Sequence, residues 1–203
     1  DNMSILGLTI DYGPYGWLED FNPDWTPNTT DSQNKRYRFG NQPDIALWNL
    51  VQLGNALYPL IEDIPAMEKI LENYNTQFDL QYHQMMKNKL GLEENYDNIL
   101  HDELQDVLKL TETDMTIFYR NLSSVLKTDF AENALEKITK SFYKPDEIKE
   151  KIKDNWIKWL NLYIERLGRE FDLDAIRKEK MNSVNPKYVL RNYMAQLAID
   201  AAD

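Results

Sequence analysis

The sequence predicts a mainly α-helical fold with one short β hairpin at its N-terminal edge, and three observations support this. Apolar residues recur at helical spacing from Pro43 to the end of the chain. Only Ile5-Leu6-Gly7-Leu8-Thr9-Ile10 forms a partly β-branched run bounded by turn residues. Of the 203 residues, 42% are hydrophobic and 12% aromatic, which is too much apolar surface for a disordered chain and enough chain for one sizeable core.

The strand-like run lies between Asp1-Asn2 and the turn-forming Asp11-Tyr12-Gly13-Pro14, so a hairpin is expected over residues 3–13. Pro14, Pro23, Pro27 and Pro43 are four of the eight prolines, and four of the seven glycines lie between positions 7 and 40. A long irregular segment follows, of the kind that usually carries function. A helix opens at Pro43-Asp44 with Ile45, Trp48, Leu50, Val51, Leu53 and Leu57 on its periodic face, and Pro59 is expected to end it. A second should run from near Pro65 to a stop at Gly91. Further helices are expected over 97–110, 112–127 and 131–142, then from Pro145 to Gly168 with Trp156 and Trp159 in the core, and finally from Pro186. Residues 1–203 are read as a single unit, with 1–42 the hairpin and irregular segment and 43–203 the helical body.

Composition narrows the partners. Lys plus Arg number 23 and Asp plus Glu 34, a net charge of −11, so nucleic acid and anionic membranes are repelled on average. An acidic protein still binds ATP when its own carboxylates hold a divalent metal. With no cysteine, disulfides, thiolate metal sites and cysteine nucleophiles are all excluded. No apolar run approaches the ~20 residues that span a bilayer, and no basic-then-apolar leader opens the chain, so a soluble intracellular protein is expected. The first residue is Asp1 rather than Met, and we expect polypeptide upstream of it.

The chemistry concentrates in Asp1-Asn2-Met3-Ser4-Ile5-Leu6-Gly7-Leu8-Thr9-Ile10-Asp11-Tyr12-Gly13-Pro14. A carboxylate beside an amide, a strand-like run, and a second Asp before a glycine turn would gather hard oxygen ligands around Mg2+. Hairpin geometry would fold Asn2 and Asp11 toward each other. The same residues also suit an ordinary turn. Protein kinases hold metal and ATP with a catalytic-loop Asp and Asn followed by Asp-Phe-Gly, to which Asp11-Tyr12-Gly13 corresponds. Here, however, Asp1 directly precedes Asn2, whereas the kinase loop separates the two.

Residues 1–14 resemble the active-site signature of the selenoprotein O family, kinase-like proteins of bacteria and mitochondria. The resemblance continues at Arg36-Tyr37-Arg38-Phe39, Asn41-Gln42-Pro43 and Leu47-Trp48-Asn49-Leu50, and again at Asn185-Pro186-Lys187-Tyr188-Val189-Leu190-Arg191-Asn192. Between about residues 60 and 180 no motif of the family is recognised. The resemblance implies a protein-kinase-like C-terminal lobe without its N-lobe. It also implies transfer of AMP, rather than the γ-phosphate, from ATP to Ser, Thr or Tyr hydroxyls of proteins. Asp1 would be the general base, and Asn2 and Asp11 would hold Mg2+, or Mn2+ in its place, with Asp11 reaching ATP through the metal. The family's glycine-rich loop and its Lys/Glu pair would precede Asp1, so this stretch alone is expected to bind Mg-ATP weakly and transfer nothing. The family's selenocysteine has no counterpart here, and redox control does not carry over. A bacterial cytoplasmic location is implied, or a mitochondrial one in a eukaryote. An atypical kinase transferring phosphate, and a non-catalytic helical interaction module, are the alternatives.

Other features have plainer readings. Lys35, Arg36 and Arg38 form a basic cluster suited either to a substrate phosphate or to internal ion pairing. His83 and His101 sit on separate predicted helices without a metal-binding pattern. Met85 and Met86 are taken as gap-filling side chains, and the charged run from Lys144 to Lys153 as a solvated helix face. Asn28-Thr29-Thr30 and Asn121-Leu122-Ser123 match the glycosylation pattern by chance. Arg191 and Asn192 are expected to support the active-site lobe structurally.

Overall fold

The structure, a computed structural model, describes residues 16–27, 29–93 and 98–202. The hairpin expected over 3–13 lies outside them. Among the described residues there are eight α-helices and no strand, only two isolated antiparallel bridges, Asp20 with Asp114 and Thr113 with Phe142. The chain forms two compact units: residues 16–18 and Asn22–Tyr82 in the first, Glu19–Phe21 and the chain from His83 onward in the second.

In the first unit the irregular segment contains two single 3-10 turns, Thr29–Asp31 and Phe39–Asn41, before α1 (Gln42–Ile61) and most of α2 (Ile64–Leu90). Pro43 starts α1 where a missing N–H costs nothing, and Asp44 adds negative charge to its first turn. Pro59 does not end the helix as expected. It removes only its own bond to the preceding turn, and α1 closes at Glu62 (φ 53), whose N–H bonds to the Tyr58 carbonyl at 2.9 Å. Asp63 caps α2 through the Ala66 N–H at 3.1 Å. The two helices approach at Gly54, where a Cβ would lie 3.2 Å from the Met67 methyl.

The second unit holds the core. α2 ends as predicted at Gly91, whose φ of +68° suits glycine, and the Leu92 N–H bonds back to the Lys87 carbonyl at 3.0 Å. α3 (Asn98–Leu108), α4 (Met115–Leu122) and α5 (Ala131–Ile138) surround α6 (Glu150–Leu167). Trp156, Trp159, Leu160, Tyr163 and Leu167 repeat at helical spacing and are fully buried, so α6 is the central rod. Trp159 stacks on Tyr163 at 5.3 Å and meets Phe118 at 6.0 Å. Its indole N–H donates to the Leu100 carbonyl, and the Tyr163 hydroxyl to the Leu90 carbonyl, both at 2.9 Å, so these large rings are buried without stranding their polar atoms.

Two helix starts differ from the sequence expectation. Pro145 opens only a 3-10 turn, Pro145–Glu147, because Lys149 is extended and Glu150 has φ 45°, which breaks the run before α6. The last helix, α8 (Asn192–Asp200), starts six residues after Pro186, since Arg191 is extended. One helix, α7 (Asp174–Val184), was not anticipated. Its buried face is Arg177 and Met181, a face that apolar periodicity does not reveal. Arg177 donates to the Val125 carbonyl, to the Tyr163 hydroxyl at 3.3 Å and to Asp174 at 3.1 Å.

His101 on α3 is buried beside Gln105, with a ring nitrogen 3.6 Å from Asp102. Burial lowers its pKa below the ordinary 6.5, against the opposing pull of Asp102. As pH falls through 6.5 the unfolded chain therefore takes up this proton before the native one does. The resulting stability is present above pH 6.5 and lost below it. Urea titrations from pH 7.5 down to about 5 should show this loss, and His101→Gln should flatten it.

Candidate functional site

Asp1, Asn2 and Asp11, the predicted base and metal ligands, lie outside the described residues. An Asn amide oxygen with Asp carboxylates is a hard-oxygen donor set that fits Mg2+. Among the described residues no group of three or more His, Cys, Asp or Glu is placed to hold a metal.

The described chain that follows Asp11 in sequence is held in a polar cluster. Glu19–Phe21, the Glu112–Asp114 stretch and Ser141–Tyr143 lie side by side. The Glu19 carbonyl accepts the Met115 N–H at 3.0 Å, the Ser141 carbonyl accepts the Asp114 N–H at 2.8 Å, and the Glu112 carbonyl accepts the Tyr143 N–H at 3.0 Å. Asp114, 3% exposed, is the cap of α4 and accepts the Ile117 N–H at 2.9 Å. The Arg191 guanidinium donates to both of its oxygens, at 3.1 Å to Oδ1 and more closely to Oδ2. The Tyr143 hydroxyl lies 3.1 Å from Asp114 Oδ2 and 3.0 Å from Glu19 Oε2, so its single proton is shared between two carboxylates. Glu19 Oε1 accepts the Asn192 N–H at 3.0 Å, which satisfies an orphan donor at the start of α8.

The electrostatics identify these groups as anchors. Partial burial, and then the charges of Asp114 and Glu19, push the Tyr143 phenol well above its ordinary 10, so it remains a donor at physiological pH. Burial alone would lower the Arg191 guanidinium, but its hydrogen bonds to Asp114 and the charge of that carboxylate outweigh burial and raise it.

The other motif residues are also engaged. Asp31 Oδ1 accepts the Arg36 N–H at 2.9 Å and Oδ2 the Tyr37 N–H at 2.7 Å. The Asn41 and Gln42 amides donate to the Arg36 and Tyr37 carbonyls at 2.6 and 2.7 Å. The Arg36 guanidinium lies 4.3 Å over the Trp48 ring, and Arg38 pairs with Asp24 at 3.6 Å. Asn185, fully buried, exchanges two 2.9 Å bonds with Lys89, from the ammonium to Oδ1 and from Nδ2 to the carbonyl. An apolar groove of about 310 Å3 between α1 and α2, lined by Leu50, Leu53, Leu57, Met67 and Ile70, offers nothing to neutralise a phosphate.

The sequence reading named Arg191 and Asn192 but not Glu19, Asp114 or Tyr143. An Asp before a helical run was the only signal for Asp114, and nothing local pointed to Glu19 or Tyr143.

Comparison with known proteins decides the family: the sequence model described as "Protein adenylyltransferase SelO" matches residues 1–203. The chain belongs to the SelO family. It is 63% identical over 205 residues to the protein named "Protein nucleotidyltransferase YdiU" of Flavobacterium johnsoniae, which covers 100% of this chain and 39% of that relative. Relatives of the same name from Rhodopirellula baltica and Aromatoleum aromaticum are 49% and 46% identical, with all of this chain and 40% and 38% of theirs covered. The chain thus spans about two fifths of the length of the curated relatives it matches. No helix among the described residues is long and apolar enough to cross a membrane.

In this SelO-family chain, Asp114→Ala removes both the α4 cap and the partner of a largely buried guanidinium. It should lower the unfolding free energy by about 3–5 kcal/mol. Tyr143→Phe, which removes one shared hydrogen bond, should cost only about 1 kcal/mol, and urea denaturation followed by tryptophan fluorescence measures both.

Proposed function

We propose that these residues are the kinase-like C-lobe of a Mg2+-dependent protein adenylyltransferase that moves AMP from ATP to Ser, Thr or Tyr hydroxyls of proteins. The observation that carries this is the whole-length match to a family described as a protein adenylyltransferase. Residues 1–42 would form the metal-site and activation-like segment and 43–203 the helical body, as one lobe. Asp1 accepts the proton of the attacking hydroxyl, whose oxygen bonds to the α-phosphorus as the bond to the β-phosphate's bridging oxygen breaks and pyrophosphate leaves. Asn2 and Asp11 hold the cation through hard oxygens. Mg2+, or Mn2+ in its place, supplies charge neutralisation at the phosphates when bound.

The 203 residues contain no glycine-rich phosphate loop. Alone they would bind Mg-ATP weakly and transfer nothing. The relatives named above are bacterial, and we place the protein in the bacterial cytoplasm, or in the mitochondrion of a eukaryote.

The test uses the full-length protein with acceptor proteins and ATP labelled at either the α- or the γ-phosphate. Label should enter protein only from the α position. Asp11→Ala should reduce it on the order of a hundredfold or more, as when charge stabilisation at a reacting centre is lost. Transfer from the γ position alone would establish the kinase alternative, and labelling indifferent to Asp11→Ala the non-catalytic one.

A further inference from the structure

We propose that the tip of the α1–α2 hairpin is a docking surface for an amphipathic helix with basic flanks, supplied by polypeptide of the full-length protein outside these 203 residues.

α1 has the composition of an interior helix without an interior around it. From Ile45 to Ile61 it carries no Asp, Glu, Lys or Arg, yet none of its residues is buried. A helix that is apolar around most of its circumference belongs inside a larger structure. Toward the tip the mismatch is greatest. Every residue from Asn55 to Ile61 is exposed, Leu60 at 83%, and across the turn Ile64 and Ile70 are exposed as well, Ile70 at 72%. Contiguous apolar surface of this kind on a protein marks an interaction site. It is not a lipid span, because neither helix is long and apolar enough to cross a membrane.

The geometry suits a third helix. Gly54 lies against Met67, and the Tyr74 hydroxyl donates to the Pro43 carbonyl at 3.2 Å, so the two helices run antiparallel with a groove between them. Leu53 and Leu57 on one wall, and Met67, Ile70 and Tyr74 on the other, recur at helical spacing along that groove of about 310 Å3. Such a surface receives the i, i+3 and i+4 side chains of an amphipathic helix.

Charge selects the occupant. Between Asn55 and Glu72 the charged residues are Glu62, Asp63, Glu68 and Glu72 against Lys69 alone. A second copy docking through the same tip would set these acids against their own equivalents, and an anionic bilayer would be repelled in the same way. A segment whose apolar stripe is flanked by Lys and Arg is attracted instead. The polypeptide to supply it exists in the relatives, of which this chain covers only about two fifths. A segment tethered in the same chain meets the groove at an effective concentration on the order of millimolar, so a modest apolar contact is enough to keep it docked.

The experiment uses the full-length protein with photo-leucine in place of leucine, made in heavy- and light-isotope forms that are mixed before irradiation. Mass spectrometry should find Leu57 or Leu60 cross-linked to a segment of the same copy outside residues 1–203, with apolar residues at helical spacing and more Lys and Arg than Asp and Glu. In parallel, Ile70→Cys and Thr76→Cys are each made in full-length protein whose other cysteines are replaced by serine, and their reaction with a maleimide is timed. Thr76 is exposed and lies outside the groove. Ile70→Cys should react at least about tenfold more slowly, as a side chain that is reached only when its cover opens. Equal rates would show the tip uncovered in the whole protein and overturn the proposal. So would cross-links between heavy and light copies, cross-links confined to residues 1–203, a cross-linked segment with an acidic excess, or no cross-link at Leu57 and Leu60.

Discussion

The Asp114 carboxylate is the fixed point around which Glu19, Tyr143 and Arg191 are arranged. An isolated carboxylate at its depth would carry a desolvation penalty of several kcal/mol, so its surroundings must supply donors. They come from its own helix through Ile117, from Tyr143 and from Arg191. Each donor constrains something else: α4 is capped, the 141–143 stretch is held alongside 112–114, and α8 starts late because Arg191 must remain extended.

The rest of the second unit explains why such a polar cluster is affordable. α6 buries two tryptophans and a tyrosine against α3, α4 and α5, and this aromatic core makes a rigid floor from which the ends of α4 and the 141–143 turn project. The Asn185–Asn192 motif is tied down at its two ends. It grips the end of α2 through Asn185 and Lys89, Asp114 through Arg191, and Glu19 through Asn192. A single octapeptide thereby joins residues about 96, 77 and 173 positions away.

Helices were legible where one face is apolar. The periodic Trp156, Trp159, Leu160 and Tyr163 gave α6, and Gly91 gave the end of α2, because those signals are local. α7 was illegible because its buried face is a guanidinium bonded to the Val125 carbonyl and the Tyr163 hydroxyl, partners that no window of sequence contains. Pro59 and Pro145 misled in opposite directions: one proline near a helix end removes a single bond, and one proline at a start does not guarantee the turns that follow. Asp1, Asn2 and Asp11 were proposed from residue chemistry and resemblance, and they lie outside the described residues. The anchors Glu19, Asp114 and Tyr143 depend on pairings across the chain, which composition and spacing do not encode.

The functional account requires the oxygens of residues 2 and 11 to share one cation next to Asp1. Crystals of the full-length protein with Mn2+ and a non-hydrolysable ATP analogue, examined by anomalous scattering, address that requirement. The account predicts a Mn2+ peak about 2.1–2.2 Å from both the Asn2 amide oxygen and an Asp11 carboxylate oxygen, against the nucleotide's phosphates. A peak held by other residues, or Asn2 and Asp11 facing apart with the nucleotide bound elsewhere, would contradict it.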